Sequence, residues 1–315
     1  NGQNCTVTEP TTVSGLTALS ATVKANTGYS LPSSVTVKVN GSTLAASKYT
    51  YRDSKITIPA GCVKGAVEIT AAAVPNTYTL SFNIKYSGAA NPKSRTVTYN
   101  STYGALPAPT RRGYTLEGWY TTPDFTTQVT SGTTVTTARD HTLYAKWTAN
   151  TYTVTLDANG GIVEPDTLNV TFGTAIGKLP VAIKDGYTFA GWYSADGKQV
   201  TAETVYETAA DSTVTAKWVP LAYTVTLDDG CGNTTTITVN YGEKIGTLPT
   251  PKRDGYTFGG WFDAKGNAVT ADTVVTGSLA LSAKWTAVTV TPATGDSFDP
   301  MFWTGMMLLA LGAAA

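Results

Sequence analysis

Between Tyr152 and Asp157 the chain reads YTVTLD, a period-two pattern that puts Tyr152, Val154 and Leu156 on one face of a strand and Thr153, Thr155 and Asp157 on the other. Such a strand covers a core on one side only. The pattern opens two further stretches, TYTLSFNIKY from Thr77 and AYTVTLDDGCG from Ala222. After two of these strands, LDANGG and LDDGCGN supply the Asn, Asp and Gly that a chain reversal with positive φ requires. A second alternating motif, LYAKW at 143–147, places Leu143, Ala145 and Trp147 together and turns Lys146 away. It recurs as VTAKW at 214–218 and LSAKW at 281–285, so Trp147, Trp218 and Trp285 read as core anchors. No helical period of similar strength competes, and the chain is expected to be mainly β.

These elements come in series. The heptads GYTLEGW at 113–119, GYTFAGW at 186–192 and GYTFGGW at 255–261 place tryptophans 73 and 69 residues apart, and the AKW motifs follow at spacings of 71 and 67. A third marker precedes each heptad: TYGALPAPTRRGY, TFGTAIGKLPVAIKDGY and NYGEKIGTLPTPKRDGY. Six of the seven tryptophans therefore occupy repeat positions. The pattern predicts three tandem units at 76–148, 150–219 and 221–286. Connectors of four residues, TANT and VPLA, leave little freedom between units. Units of this size should each be roughly 28 Å across, and with a leading domain the array would extend on the order of 100 Å.

Within the heptad, Tyr187 and Phe189 are in phase and Trp192 is not. A β-bulge at Gly191, and likewise at Gly118 and Gly260, would return the indole to the core. Without it Trp119, Trp192 and Trp261 would lie on the opposite face as an aromatic platform for sugar or peptide.

The pattern YTVTLD, NGG, VTFG, LP, GYTFAGWY and AKW resembles the internalin-type B repeat, also called the Listeria-Bacteroides repeat, over about two thirds of the chain. The resemblance implies tandem β-grasp-like (α+β) repeats, with a twisted sheet crossed by at most a short helix. It also implies an extracellular, non-catalytic stalk or adhesive element. The first copy departs through the insertion KYSGAANPKSR, which predicts a longer first hairpin.

Residues 1–74 do not follow the repeat. SVTVKVNGSTL, KYTYRDSKITI and GAVEITAAAV read as strands separated by turns, a small all-β sandwich-like module that ends at Val74–Pro75. Residues 287–315 form a threonine-rich linker, TPATGD and the apolar run MFWTGMMLLALGAAA, fifteen residues against the roughly 20 that span a bilayer. This tail resembles a sortase sorting signal, with Pro292, Thr294 and Gly295 matching an LPxTG-like pentapeptide and Thr291 in place of its leucine. The resemblance implies sortase and peptidoglycan as partners, scission between Thr294 and Gly295, and transient residence of the apolar segment in the membrane. The basic tail that completes such signals does not follow in this sequence, so the signal either continues or the anchor is of another kind. A chain starting at Asn1 with no apolar leader implies a removed signal peptide or a larger protein.

Composition changes the picture mainly by exclusion. Twenty-two basic residues balance twenty-two acidic ones, which removes the electrostatic footprint of a nucleic-acid partner. Cys5, Cys62 and Cys231 lack metal-ligand spacing, although a Cys5–Cys62 bridge fits one module. His141 beside Asp140 suggests a dyad but reads as a surface turn, and Asp228 and Asp229 fall in a hairpin turn. No catalytic, metal or cofactor residue is assigned. A cell-wall-anchored spacer of a Gram-positive bacterium with adhesin character is the expectation. The alternatives are a module binding host glycan or surface protein, and the C-terminal region of a larger secreted enzyme.

Overall fold

The computed structural model describes residues 2–8 and 17–289, and nearly all regular structure among them is β-strand. A single 3-10 turn at Ala46–Lys48 is the only helical element among the described residues, none of which forms a helix able to cross a membrane. The chain divides into two compact units. Of the described residues, the first holds those up to Thr155 with Thr167–Leu179 and Thr201–Thr213; the second holds Leu156–Asp166, Pro180–Val200 and those from Val214 on.

In the first unit, the N-terminal module is built from two four-stranded sheets. Strand Leu19–Ala25 buries residues 19, 21 and 23 and exposes those between, as alternation dictates. With Val37, Ile56, Ile58 and Ile69 they form one core, in keeping with the sandwich-like expectation. The Cys5–Cys62 bridge that the sequence left open is not formed, and both are free cysteines. Cys5 is buried with its Sγ 3.4 Å from the Ala71 carbonyl, while Cys62 packs half-buried on the same core.

Each repeat contributes one five-stranded sheet with a common strand order: second, first, fifth, third, fourth. In the first repeat, Thr77–Asn83 pairs antiparallel with Arg95–Thr98 and parallel with His141–Ala149. The last strand also pairs antiparallel with Tyr114–Tyr120, which holds the two-residue strand Gln128–Val129. Parallel neighbours need a long crossover; here everything from Ile84 to Asp140 supplies it. The crossover carries strands and irregular segments in place of a helix. The third repeat repeats this arrangement with Ala222–Asp228, Thr234–Asn240, Tyr256–Phe262, Ala268–Val269 and Leu279–Ala287. In the second, Thr151–Asp157 pairs with Thr167–Thr171, and Tyr187–Tyr193 pairs with Gln199–Val200 and Ser212–Pro220. As the insertion predicts, the first hairpin of the first repeat has the longest loop, from residue 84 to 94.

The heptad bulges exist. Register shifts occur between Leu116 and Gly118, Phe189 and Gly191, and Phe258 and Trp261. Gly191 takes φ +124°, a backbone conformation that strains any residue with a side chain, and its Cβ position is occupied by the movable end of Gln199 at 2.7 Å. One extra residue reverses the phase of the strand beyond it. Trp119, Trp192 and Trp261 are thereby turned inward and are only 2 %, 2 % and 4 % exposed. In the first repeat the indole packs with Leu80, Phe82, Val135 and Leu143; in the third its counterpart packs with Val225, Leu227, Val275 and Leu281.

Candidate interaction surface

The polar end of each buried indole is satisfied inside its own repeat. The Nε1–H groups of Trp119, Trp192 and Trp261 donate to the carbonyls of Pro107, Pro180 and Pro249 at 2.7, 2.8 and 2.8 Å. This gives the Leu-Pro marker its role, since a proline carbonyl is free to accept while its nitrogen has nothing to donate. The three indoles thus face the core and a loop, so the reading of Trp119, Trp192 and Trp261 as a ligand-facing platform is corrected by their burial.

The AKW tryptophans are placed differently from the sequence expectation. Leu143 and Ala145 are fully buried, but Trp147, Trp218 and Trp285 are half-buried. They pair with Leu116, Phe189 and Phe258 just before the bulge, and Trp147 and Leu116 pack against the margin of the first repeat's core. Their indoles donate to the carbonyls of Ile84, Ala158 and Asp229 at 2.8, 3.0 and 2.8 Å, clamping the turn after the first strand. A basic side chain lies along each aromatic edge. Arg111 stacks 3.6 Å from the Tyr114 ring and 4.9 Å from Tyr86, Lys184 lies 4.7 Å from Tyr187 and 5.8 Å from Trp218, and Arg253 lies 4.1 Å from Tyr256. In the third repeat Lys252, Arg253, Tyr256, Phe258 and Trp285 line a depression of about 530 Å³. A half-exposed ring beside a cation is suited to stacking on a planar or sugar ring with an acidic group nearby. The Asp254 carboxylate lines the same depression beside the two cations.

A second recurring construction lies at the start of the heptad. Gly28, Gly113 and Gly186 have φ of +83°, +76° and +76°, and a Cβ on each would lie within 2.5 Å of a ring atom of Tyr99, Phe172 and Tyr241 respectively. The residue after each glycine meets the same ring edge-on, with centroids 5.3 Å apart for Tyr29–Tyr99, 5.5 Å for Tyr114–Phe172 and 5.6 Å for Tyr187–Tyr241. The backbone closes the joint. Asn76, Asn150 and Leu221 donate to the glycine carbonyls at 2.8, 2.9 and 2.8 Å, and their own carbonyls accept from the N–H groups of Tyr99, Phe172 and Tyr241. At the fourth such place Val288 donates to Gly255 at 2.8 Å, but nothing lies within 4 Å of the glycine's Cβ position and Tyr256 is 40 % exposed. The ring that fills the first joint is Tyr99, whereas the marker TYGALP aligned Tyr103 there. Counted back from the prolines, Tyr99, Phe172 and Tyr241 stand at equal distance, a signal obscured by the second Thr-Tyr pair of the first copy, at 102–103.

Other candidate residues separate. His141 begins a strand rather than a turn: its Nε2 lies 2.8 Å from the Tyr103 hydroxyl and its Nδ1 2.9 Å from the Arg139 carbonyl. Asp140 accepts from the Thr79 backbone at 2.7 Å, so the two side chains have different partners and no dyad forms. Asp228 and Asp229 accept from Gly230 and Cys231 backbone N–H groups, as turn residues do. Pro292, Thr294 and Gly295 lie outside the described residues.

The most perturbed carboxyl is Asp196, in a turn. The Lys198 ammonium at 2.8 Å, and then the Ser194 hydroxyl, lower its pKa from 3.8 to about 2. The folded value lies below the ordinary one, so the contact favours the fold above about pH 3.8, and that contribution is lost as pH falls through about 2. Carboxyl NMR should show Asp196 titrating near 2, and Lys198→Met should return it towards 3.8. A wild-type midpoint near 3.8 would contradict the contact.

Known proteins are similar to this chain in sequence. Residues 78–146, 152–217 and 223–284 match the Listeria-Bacteroides repeat domain. A putative membrane protein of Evansella cellulosilytica is 28% identical over 180 residues, covering 55% of this chain and 26% of that protein. A putative Gly-rich membrane protein of the same organism is 32% identical over 156 residues, 48% of this chain and 17% of the other. Internalin H of Listeria monocytogenes is 41% identical over 83 residues, 26% of this chain and 15% of its own length. The chain thus spans about a quarter or less of the length of these relatives.

Proposed function

We propose that this chain, which belongs to the Listeria-Bacteroides repeat family, is a non-catalytic bacterial surface protein whose repeats act as a spacer with adhesin character, attached to peptidoglycan by a sortase. The observation that carries the spacer reading is the joint: the same glycine, aromatic ring and two backbone hydrogen bonds recur at three junctions. Selection for a binding pocket would not require identical joints, whereas a spacer needs each unit held to the next. The six repeated indoles all spend their N–H groups on internal carbonyls, which supports a load-carrying role for them.

Attachment rests on TPATGD, in which Pro292, Thr294 and Gly295 match the sorting pentapeptide. Incubation of the full chain with a sortase and a glycine oligopeptide should give a product cut after Thr294 and joined to the oligopeptide. Thr294→Ala should give none, and an uncut wild-type chain under conditions that process a control substrate would refute this mode of anchoring.

A second reading, recognition of host glycan or surface protein, is favoured by the half-buried edges of Trp147, Trp218 and Trp285, with Lys184 near Trp218 and Arg111 and Arg253 over Tyr114 and Tyr256. Glycan-array binding that disappears in a folded Arg253→Ala variant would support it. Binding unchanged by that variant would place recognition elsewhere.

A further inference from the structure

We propose that strand Thr234–Asn240, the outer edge of the third repeat, is a self-association surface that pairs antiparallel with the same strand of a second copy. It ends its sheet, and among the described residues no strand covers its free side. It is the longest of the three equivalent edges, with seven residues against four at Arg95–Thr98 and five at Thr167–Thr171. It pairs with Ala222–Asp228 through all seven positions without a register shift, so no bulge twists its edge away. Thr234, Thr235, Thr236 and Thr238 are exposed.

The two other edges carry the devices by which sheets avoid pairing with strangers. Arg95–Thr98 follows Asn91-Pro92-Lys93-Ser94, and Arg95 is spent on the carbonyls of Ala105 and Tyr103 at 2.6 Å each. Thr167–Thr171 follows Glu164-Pro165-Asp166, with a charge on each side of a residue that cannot donate. From Gly230 to Gly242 the third repeat has neither proline nor charge. This neutrality selects the occupant. An antiparallel pair centred on Ile237 sets Thr236 opposite the partner's Thr238 and Thr235 opposite the partner's Val239. No like charges meet, and the row of Thr235, Ile237 and Val239 continues across the dyad. Cross-strand threonine and β-branched pairs of this kind stabilise sheets, and a chain of zero formal net charge adds no long-range repulsion. One strand pair is a small interface, so association should be weak and dependent on concentration.

Sedimentation equilibrium of the full chain, in reductant because Cys231 is an exposed free thiol, tests this. The mass should rise from 33.0 kDa towards twice that value between roughly 10 μM and 1 mM, the range of a sub-standard interface. Thr236→Lys with Thr238→Lys should weaken association by about tenfold or more, because like charges would face each other across the dyad. Asn169→Lys on the equivalent strand of the second repeat should leave it unchanged. Amide exchange at 234–240 should slow as wild-type concentration rises. A constant mass, association that survives the lysine pair, equal loss in Asn169→Lys, or exchange at 234–240 indifferent to concentration would each overturn the proposal.

Discussion

Trp192→Ala is expected to remove most or all of the stability of the second repeat. The ring is 2 % exposed, lies edge-on to Phe189 at 5.4 Å and donates to the Pro180 carbonyl. Truncating a buried indole costs about 3–5 kcal/mol. A unit of this size is stable by roughly 3–10 kcal/mol, if stability scales with length as in ordinary domains. The two figures are comparable, so the variant should unfold in its second repeat at ambient temperature. Chemical denaturation followed by near-UV circular dichroism reads this as an early transition. Trp218→Ala, which removes a half-buried ring and one hydrogen bond, should cost less, about 1–3 kcal/mol. Equal losses in the two variants would mean that the bulge does not separate a core indole from an edge indole.

Gly186→Ala should destabilise the chain far more than Gly255→Ala, although both glycines take nearly the same φ, +76° and +77°. The left-handed backbone alone costs an alanine about 1–2 kcal/mol, and both variants bear it. At Gly186 the new methyl would also lie 2.2 Å from the Tyr241 ring, well inside contact distance, whereas at Gly255 it meets nothing within 4 Å. Relieving that overlap adds about 1–3 kcal/mol. The difference between the two variants therefore isolates the joint from the turn. Thermal denaturation measures it, and limited proteolysis at the VPLA connector should be faster only in Gly186→Ala. Matching melting temperatures would show that the ring over the glycine contributes nothing.

The β character and the threefold repetition were readable because both are written locally. YTVTLD alternates, and the markers around Trp119, Trp192 and Trp261 recur with their spacing nearly intact. The bulge was readable because a glycine stands where the phase breaks. The end of a sheet was not legible in the same way. Leu143, Ala145 and Trp147 are in phase, yet the first two are fully buried and the third is a half-buried clamp at the margin of the core, opposite Leu116 where the bulge of the neighbouring strand begins. That boundary is a property of two strands, and neither carries it alone. The joints were hidden for a related reason: Gly186 and Tyr241 are 55 residues apart in sequence, and the pairing exists only once two units meet. Nothing in the third marker signals that its proline is there for its carbonyl.

The heptad indoles hold each repeat together from inside, and hydrogen exchange of the indole Nε1–H groups, followed by NMR, tests this most directly. The N–H groups of Trp119, Trp192 and Trp261, bonded to Pro107, Pro180 and Pro249, should exchange only through unfolding of their repeat. Those of the half-buried Trp147, Trp218 and Trp285 should exchange sooner, through local opening. Heptad indoles that exchange as fast as the edge indoles would contradict the account.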